Sequence, residues 1–177
     1  MAKAHRKTID TILIFLGTVT ALVLLVAGVI MCWGSNFVND QVTAELKSQK
    51  IKFPPSGSLA LSPDKYPDLQ QYAGQTVDTG EKARAYANGY IDRHLQEVAG
   101  GKTYSEVSTA ALQDKENTTL QAQKQSLFMG ETLRGLLLNA YAFGTLASLL
   151  KYGAIASFIA ATTMGVLVLL GFRRLSK

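Results

Sequence analysis

Hydrophobic and polar positions divide this chain into two unbroken apolar runs and a long patterned middle. Thr11 to Trp33 reads "TILIFLGTVTALVLLVAGVIMCW", 23 residues without a charge, and Tyr152 to Phe172 reads "YGAIASFIAATTMGVLVLLGF", another 21. A helix rises about 1.5 Å per residue, so each run covers the roughly 30 Å hydrocarbon core of a bilayer. A buried helix of a soluble protein rarely extends that far without a polar edge. Two transmembrane helices are therefore expected, at 11–33 and 152–172.

Between them the pattern changes. Phe37, Val38, Val42 and Leu46 recur at helical spacing among polar residues. The first helix is thus expected to run on to about Lys50, until Phe53-Pro54-Pro55 ends it. All four prolines of the chain fall within residues 53–78. Leu59, Leu61, Tyr66, Leu69 and Tyr72 supply apolar anchors there, which predicts an ordered Pro-rich wrap rather than a linker.

Asp78-Thr79-Gly80-Glu81 reads as a helix start with Asp78 as N-cap. Ala83, Tyr86, Ala87, Tyr90, Ile91, Leu95 and Val98 then mark an apolar face, and Gly100-Gly101 is a stop. Thr103 and Glu106 have the spacing of a capping box for a helix that ends in "QDKENTT". A third helix is expected from about Asn117 toward the second apolar run. Asn117-Thr118-Thr119 also matches the glycosylation acceptor pattern, a match frequent by chance.

The stretch 135–150, "GLLLNAYAFGTLASLL", carries no charge over 16 residues. As a third span it would be short, and it would need a tight turn at Lys151-Tyr152-Gly153. It reads better as the outer, buried part of one long helix, and the three-span alternative stays open.

Charge changes the picture by where it sits. The net charge is +5, yet residues 35–150 hold 11 Lys or Arg against 12 Asp or Glu. The excess flanks the apolar runs, in "MAKAHRK" before the first and "RRLSK" after the second. Cationic flanks face the cytoplasm, so both termini (1–10 and 173–177) are expected there and 34–150 outside, in the plasma membrane. No basic patch exists for phosphate backbones, so nucleic acid is not an expected partner. The first apolar run is longer than a signal-peptide core and no A-x-A site follows it, so it is expected to be an uncleaved anchor. Met31 before Cys32 does not suit a lipoprotein site. Cys32, the single cysteine, leaves the outer domain without an intrachain disulfide.

Candidate chemistry is sparse. His5 and His94 are the two histidines, and this topology puts them on opposite sides of the membrane, which excludes a metal site built on both. No G-x-S-x-G, Walker loop, H-E-x-x-H or C-x-x-C occurs. No catalytic residue, metal or cofactor is expected, and neither apolar run carries an ionisable residue at mid-depth for a proton path.

The stronger pattern is one of packing. Gly153, Ser157, Ala161 and Gly165 recur every four residues, as do Ala140, Gly144 and Ser148, with Gly17, Ala21 and Gly28 on the first helix. Small residues at this spacing let membrane helices approach closely, within one hairpin or against a partner. Tyr86, Tyr90, His94, Tyr141 and Phe143 are the candidate partner or ligand surface.

"QQYAGQTVDTGEKARAYANGYIDRHLQEVAGGKTYSEVS" and "LRGLLLNAYAFGT" resemble a family of actinobacterial envelope proteins with two membrane spans. The resemblance covers residues 53–150 in motifs and the whole chain in layout, and it implies no catalytic residues. A label of aromatic-ring-opening dioxygenase, carried by some members, requires a metal with histidine ligands that His94 alone does not supply.

The expectation is an all-α protein: a transmembrane helical hairpin with an extracytoplasmic helical domain. Its expected role is that of a non-catalytic structural or accessory subunit. It would assemble with itself or with another membrane protein, as part of a larger envelope or respiratory complex. The alternative is a sensor or binding module for a lipid or envelope ligand, which predicts an apolar cavity between the 78–99 helix and the Pro-rich wrap.

Overall fold

The computed structural model describes residues 2–175, with side chains from residue 6 onward. The expectations resting on Lys3, His5 and Lys177 lie outside the described residues. The described chain is all-helical: α1 (Ala2–Ser48), α2 (Gly80–Arg84), a π-helical segment (Ala85–Ile91), α3 (Asp92–Ala99), α4 (Tyr104–Gln113) and α5 (Thr118–Leu175). Two helices, α1 and α5, are long and apolar enough to cross a membrane. Two compact units result, one of residues 1–38 and 146–177, the other of residues 39–145.

In the first unit α1 and α5 run antiparallel. Ser35 is buried and its hydroxyl donates to the Ala147 carbonyl at 2.7 Å. The covered positions of α1 include the series Ile14, Gly17, Ala21, Leu24, Gly28, Met31, Ser35 and Val38. Those of α5 include the series Ala147, Leu150, Ala154, Ser157, Ala161, Met164, Val168 and Gly171. Both series step by alternate threes and fours, the 3.5-residue repeat of paired helices. The remaining apolar side chains point away, among them Leu13, Phe15, Ile30, Ile159, Leu167 and Leu169, all exposed. A core helix of a soluble protein would have them covered.

The second unit has its own core of Leu46, Phe53, Leu61, Tyr66, Leu69, Val77, Ala83, Ala87, Ile91, Leu95, Ala99, Val107, Leu127 and Leu137. α1 ends at Ser48, before the prolines, in a turn where Lys50 has φ +53°. The Phe53 amide instead donates to the Gln75 carbonyl beside an isolated bridge between Lys52 and Thr76. The wrap then makes two 3-10 turns, Leu59–Leu61 and Pro67–Tyr72, which bury Leu61 and Leu69.

The start of α2 differs from expectation. Thr79, not Asp78, is the N-cap, accepting from the Lys82 amide, because the Asp78 carboxylate is engaged with the Lys82 ammonium at 2.9 Å. At α4 the capping box forms as read: the Thr103 hydroxyl accepts from the Glu106 amide, and the Thr103 amide donates to the Glu106 carboxylate. Asn117 caps α5, its Oδ1 accepting from the Leu120 amide at 3.1 Å.

α5 is one helix of 58 residues and does not turn at 151–153, the reversal that a third span would need. Within 135–150, however, only Leu137 and Ala147 are buried. The expectation of a buried stretch is corrected, since Leu136, Phe143, Leu146 and Leu149 stand exposed.

Candidate functional site

The winding of the 80–99 helix decides what its surface can do. Glycines apart, its buried residues Ala83, Ala87, Ile91, Leu95 and Ala99 are spaced by four. In a pure α-helix a four-residue repeat drifts by about 40° per step, so such a stripe would rotate off the core within two turns. The π segment winds more slowly, with i→i+5 bonds, and offsets that drift. Ala99 is therefore buried, where simple helical spacing favoured Val98, which stays half-buried. The four-residue spacing is the sequence signal that accompanies the π segment, and the helical reading of the face passed over it.

The other side of that winding opens a cleft of about 560 Å³. Its walls are Asp68, Leu69, Gln71 and Tyr72 from the wrap, Glu81, Arg84, Ala85, Asn88, Gly89 and Arg93 from the 80–99 helix, and Tyr141 from α5. Gly89 allows the wrap to seat, since a Cβ there would lie 2.7 Å from the Leu69 Cδ2. Gly80 does the same for α5: a Cβ would lie 3.2 Å from the Tyr141 Cα and 3.3 Å from the Gly144 Cα.

Some charges of the cleft are already matched. Arg93 grips Asp68 with two bonds of 2.8 and 2.9 Å, and this holds the Asp68 carboxyl below the usual carboxylate range. Arg134 donates to Asn88 Oδ1 at 3.3 Å and pairs with Asp92 at 3.2 Å, which fixes the Asn88 amide. Arg84 stacks on the Tyr141 ring at 5.1 Å and donates to its hydroxyl at 3.1 Å. A neighbouring cleft of about 410 Å³, by Gly100 and Gly101, has its charges closed by the Lys65–Glu97 and Arg93–Asp68 pairs.

The residues singled out in the sequence do not form one surface. Tyr86 and Tyr90 pack inward in an aromatic chain: Phe53–Tyr72 at 5.2 Å, Phe53–Tyr86 at 5.0 Å, Tyr86–Tyr90 at 5.0 Å and Tyr66–Tyr90 at 5.5 Å. Burial pushes both hydroxyls above the usual phenol range, so they stay neutral. His94 is exposed and does not line the cleft. Tyr141 lines it, whereas Phe143 stands exposed on α5. Among the described residues no group of three or more His, Cys, Asp or Glu is arranged to hold a metal.

The small residues meet across the hairpin. A Cβ on Gly17 would lie 2.8 Å from Val168, one on Gly28 2.8 Å from the Phe158 ring, and one on Gly153 2.9 Å from the Met31 sulfur. Ala161 is buried, and Ala21 and Ser157 are half-covered. Gly165 has no atom within 4 Å of its Cβ position, and Ser148 is exposed. In the other unit Gly144 packs on Gly80, and Ala140 lies at the edge of the core.

Fold and surface thus define an all-helical protein with two helices long and apolar enough to span a membrane and a cleft-bearing helical unit of residues 39–145. No family model matches the chain, and neither curated proteins nor solved structures provide a match.

Proposed function

We propose that this is a two-span plasma-membrane protein, with both termini cytoplasmic and residues 34–150 outside, acting without catalysis as a structural or accessory subunit. The supporting observation is the surface of α1 and α5, where long runs of Leu, Ile, Val and Phe face outward. Exposed apolar area on that scale requires lipid or protein as its neighbour.

Assembly is read from α5. Met129, Leu133, Leu136 and Phe143 are exposed and fall on one stripe at the positions of a helix-pairing repeat, along a part of the helix uncharged from 135 to 145. Gly17, Gly28 and Gly153 are occupied against the other helix of the hairpin, so this stripe is the proposed contact, with a second copy of the chain as the first partner to test. Extraction in mild detergent, sizing and identification of co-eluting chains is the experiment. The wild type should run as an assembly, and Leu136→Glu with Phe143→Glu should release it. A monomeric wild type without co-eluting chains overturns the assembly reading.

A second reading, a ligand-binding module, is favoured by the cleft. It lies beside the wrap, where the binding alternative put a cavity, but polar and charged side chains dominate its walls in place of an apolar lining.

A further inference from the structure

We propose that the cleft of the 39–145 unit binds a small zwitterion with a carboxylate and an ammonium a few ångströms apart, of the α-amino-acid type. This specifies the ligand of the binding-module reading and does not depend on assembly through α5.

Glu81, Arg84 and Asn88 line one wall in successive turns of the same helix. Side chains three and four apart are neighbours on a helix surface, so Glu81 and Arg84 would ordinarily close on each other. They are held apart. The Arg84 guanidinium lies over the Tyr141 ring at 5.1 Å and is tied to its hydroxyl at 3.1 Å. The Glu81 carboxylate has no hydrogen-bond or ion-pair partner among the described residues. An unpaired carboxylate and a guanidinium with free N–H groups therefore face one cavity.

Asn88 adds direction. Its Oδ1 accepts from the Arg134 Nε and from a terminal nitrogen, both at 3.3 Å, so its amide nitrogen is the end left for a ligand. Arg84 and Asn88 then offer donors to an anionic oxygen, in the planar fork that suits a carboxylate. Glu81 offers an acceptor to an ammonium on the same ligand. Asp68 and Arg93, the other charges of the cleft, neutralise each other and add no net preference.

Size and wall chemistry point to a side chain as well as two charges. A volume of about 560 Å³ lies within the range of small-molecule sites. Leu69, Tyr72, Ala85 and Gly89 supply the smaller, apolar share of the lining, so an aliphatic or aromatic amino acid fits better than glycine. The charges also exclude alternatives: a phosphate dianion would meet the Glu81 carboxylate, and a simple amine would leave Arg84 unmatched.

The test is calorimetric titration of the full chain in mild detergent with L-leucine and L-phenylalanine. 4-Methylvalerate and isoamylamine serve as single-charge analogues. The expected result is saturable binding of at least one amino acid. Each single-charge analogue should bind at least about tenfold more weakly, which corresponds to about 1.4 kcal/mol. Arg84→Gln and Glu81→Gln should each cost a similar factor, and both sit on the helix surface, so circular dichroism should show the fold retained. Ser108→Ala, on α4 and away from the cleft, should bind as the wild type does. The proposal is overturned if neither amino acid binds at millimolar concentration to the folded wild type. Binding of the acid or the amine as tightly as the amino acid overturns it too, as does affinity unmoved by both cleft substitutions. A monomeric wild type without co-eluting chains but with cleft binding intact would sink the α5 reading alone.

Discussion

At the residue scale, a few polar contacts carry checkable consequences. Ser35 donates its hydroxyl to the Ala147 carbonyl from a buried position between α1 and α5. Interhelical hydrogen bonds of this kind contribute about 0.6–1.7 kcal/mol in membrane proteins, so Ser35→Ala should lower stability by about that amount in denaturation from detergent micelles. A variant as stable as the wild type would show that the contact contributes nothing. The acid side of the pH profile follows from Asp68, Asp78 and Glu106. Hydrogen bonds from Arg93, from Lys82 and from the Thr103 amide respectively hold these carboxyls below their ordinary values. A carboxyl depressed in the folded state stabilises the fold above its unfolded pKa of about 4 and loses that contribution as pH falls through the folded value. The melting temperature of the 39–145 unit, followed by circular dichroism, should therefore fall from pH 5 toward pH 3. In Asp68→Asn the fall should be shallower. These groups are largely exposed, so the effect is modest.

At the element scale, glycines separate the contacts of the hairpin from its open faces. Gly28→Leu would drive a side chain into the Phe158 ring, where even a Cβ comes within 2.8 Å. Overpacking of this kind costs about 1–3 kcal/mol, and a thermal melt in detergent should register it. Gly165→Leu meets open space and should leave the melt unchanged. If it instead dissolves an assembly, a partner occupies that face. In the sequence these two glycines looked alike, because small-residue spacing tells which side of a helix admits close approach and not which neighbour takes it. The π segment makes the same point. Strict fours from Ala83 to Ala99 were visible, but the apolar Tyr86 and Tyr90 lie close to that stripe and masked it as an ordinary amphipathic face. Only packing against Leu69 and the core shows why the winding must slow. The capping box at Thr103 needed no such help, since its groups lie three residues apart.

At the scale of the whole molecule, the proposed orientation is open to direct measurement. With Cys32 replaced by serine, a single cysteine at Ser108 should react with a membrane-impermeant thiol reagent in intact cells. One at Ala4 should react only after permeabilisation. The reverse pattern would invert the topology, and labelling of both in intact cells would remove it. What the sequence by itself determined is the helical class, the two helices of spanning length and the capped start of α4. Each depends on period, length or neighbours a few residues apart, quantities that one chain displays without folding. The tertiary structure alone decided that Tyr86 and Tyr90 turn inward, that α5 leaves an apolar stripe uncovered, and that Glu81 and Arg84 stand apart over a polar cleft. Those outcomes require segments distant in sequence to meet: the wrap on Gly89, and α5 on Gly80 through Gly144 and Tyr141. Local periodicity cannot encode them, because it records how a helix divides its faces and not what arrives to cover each one.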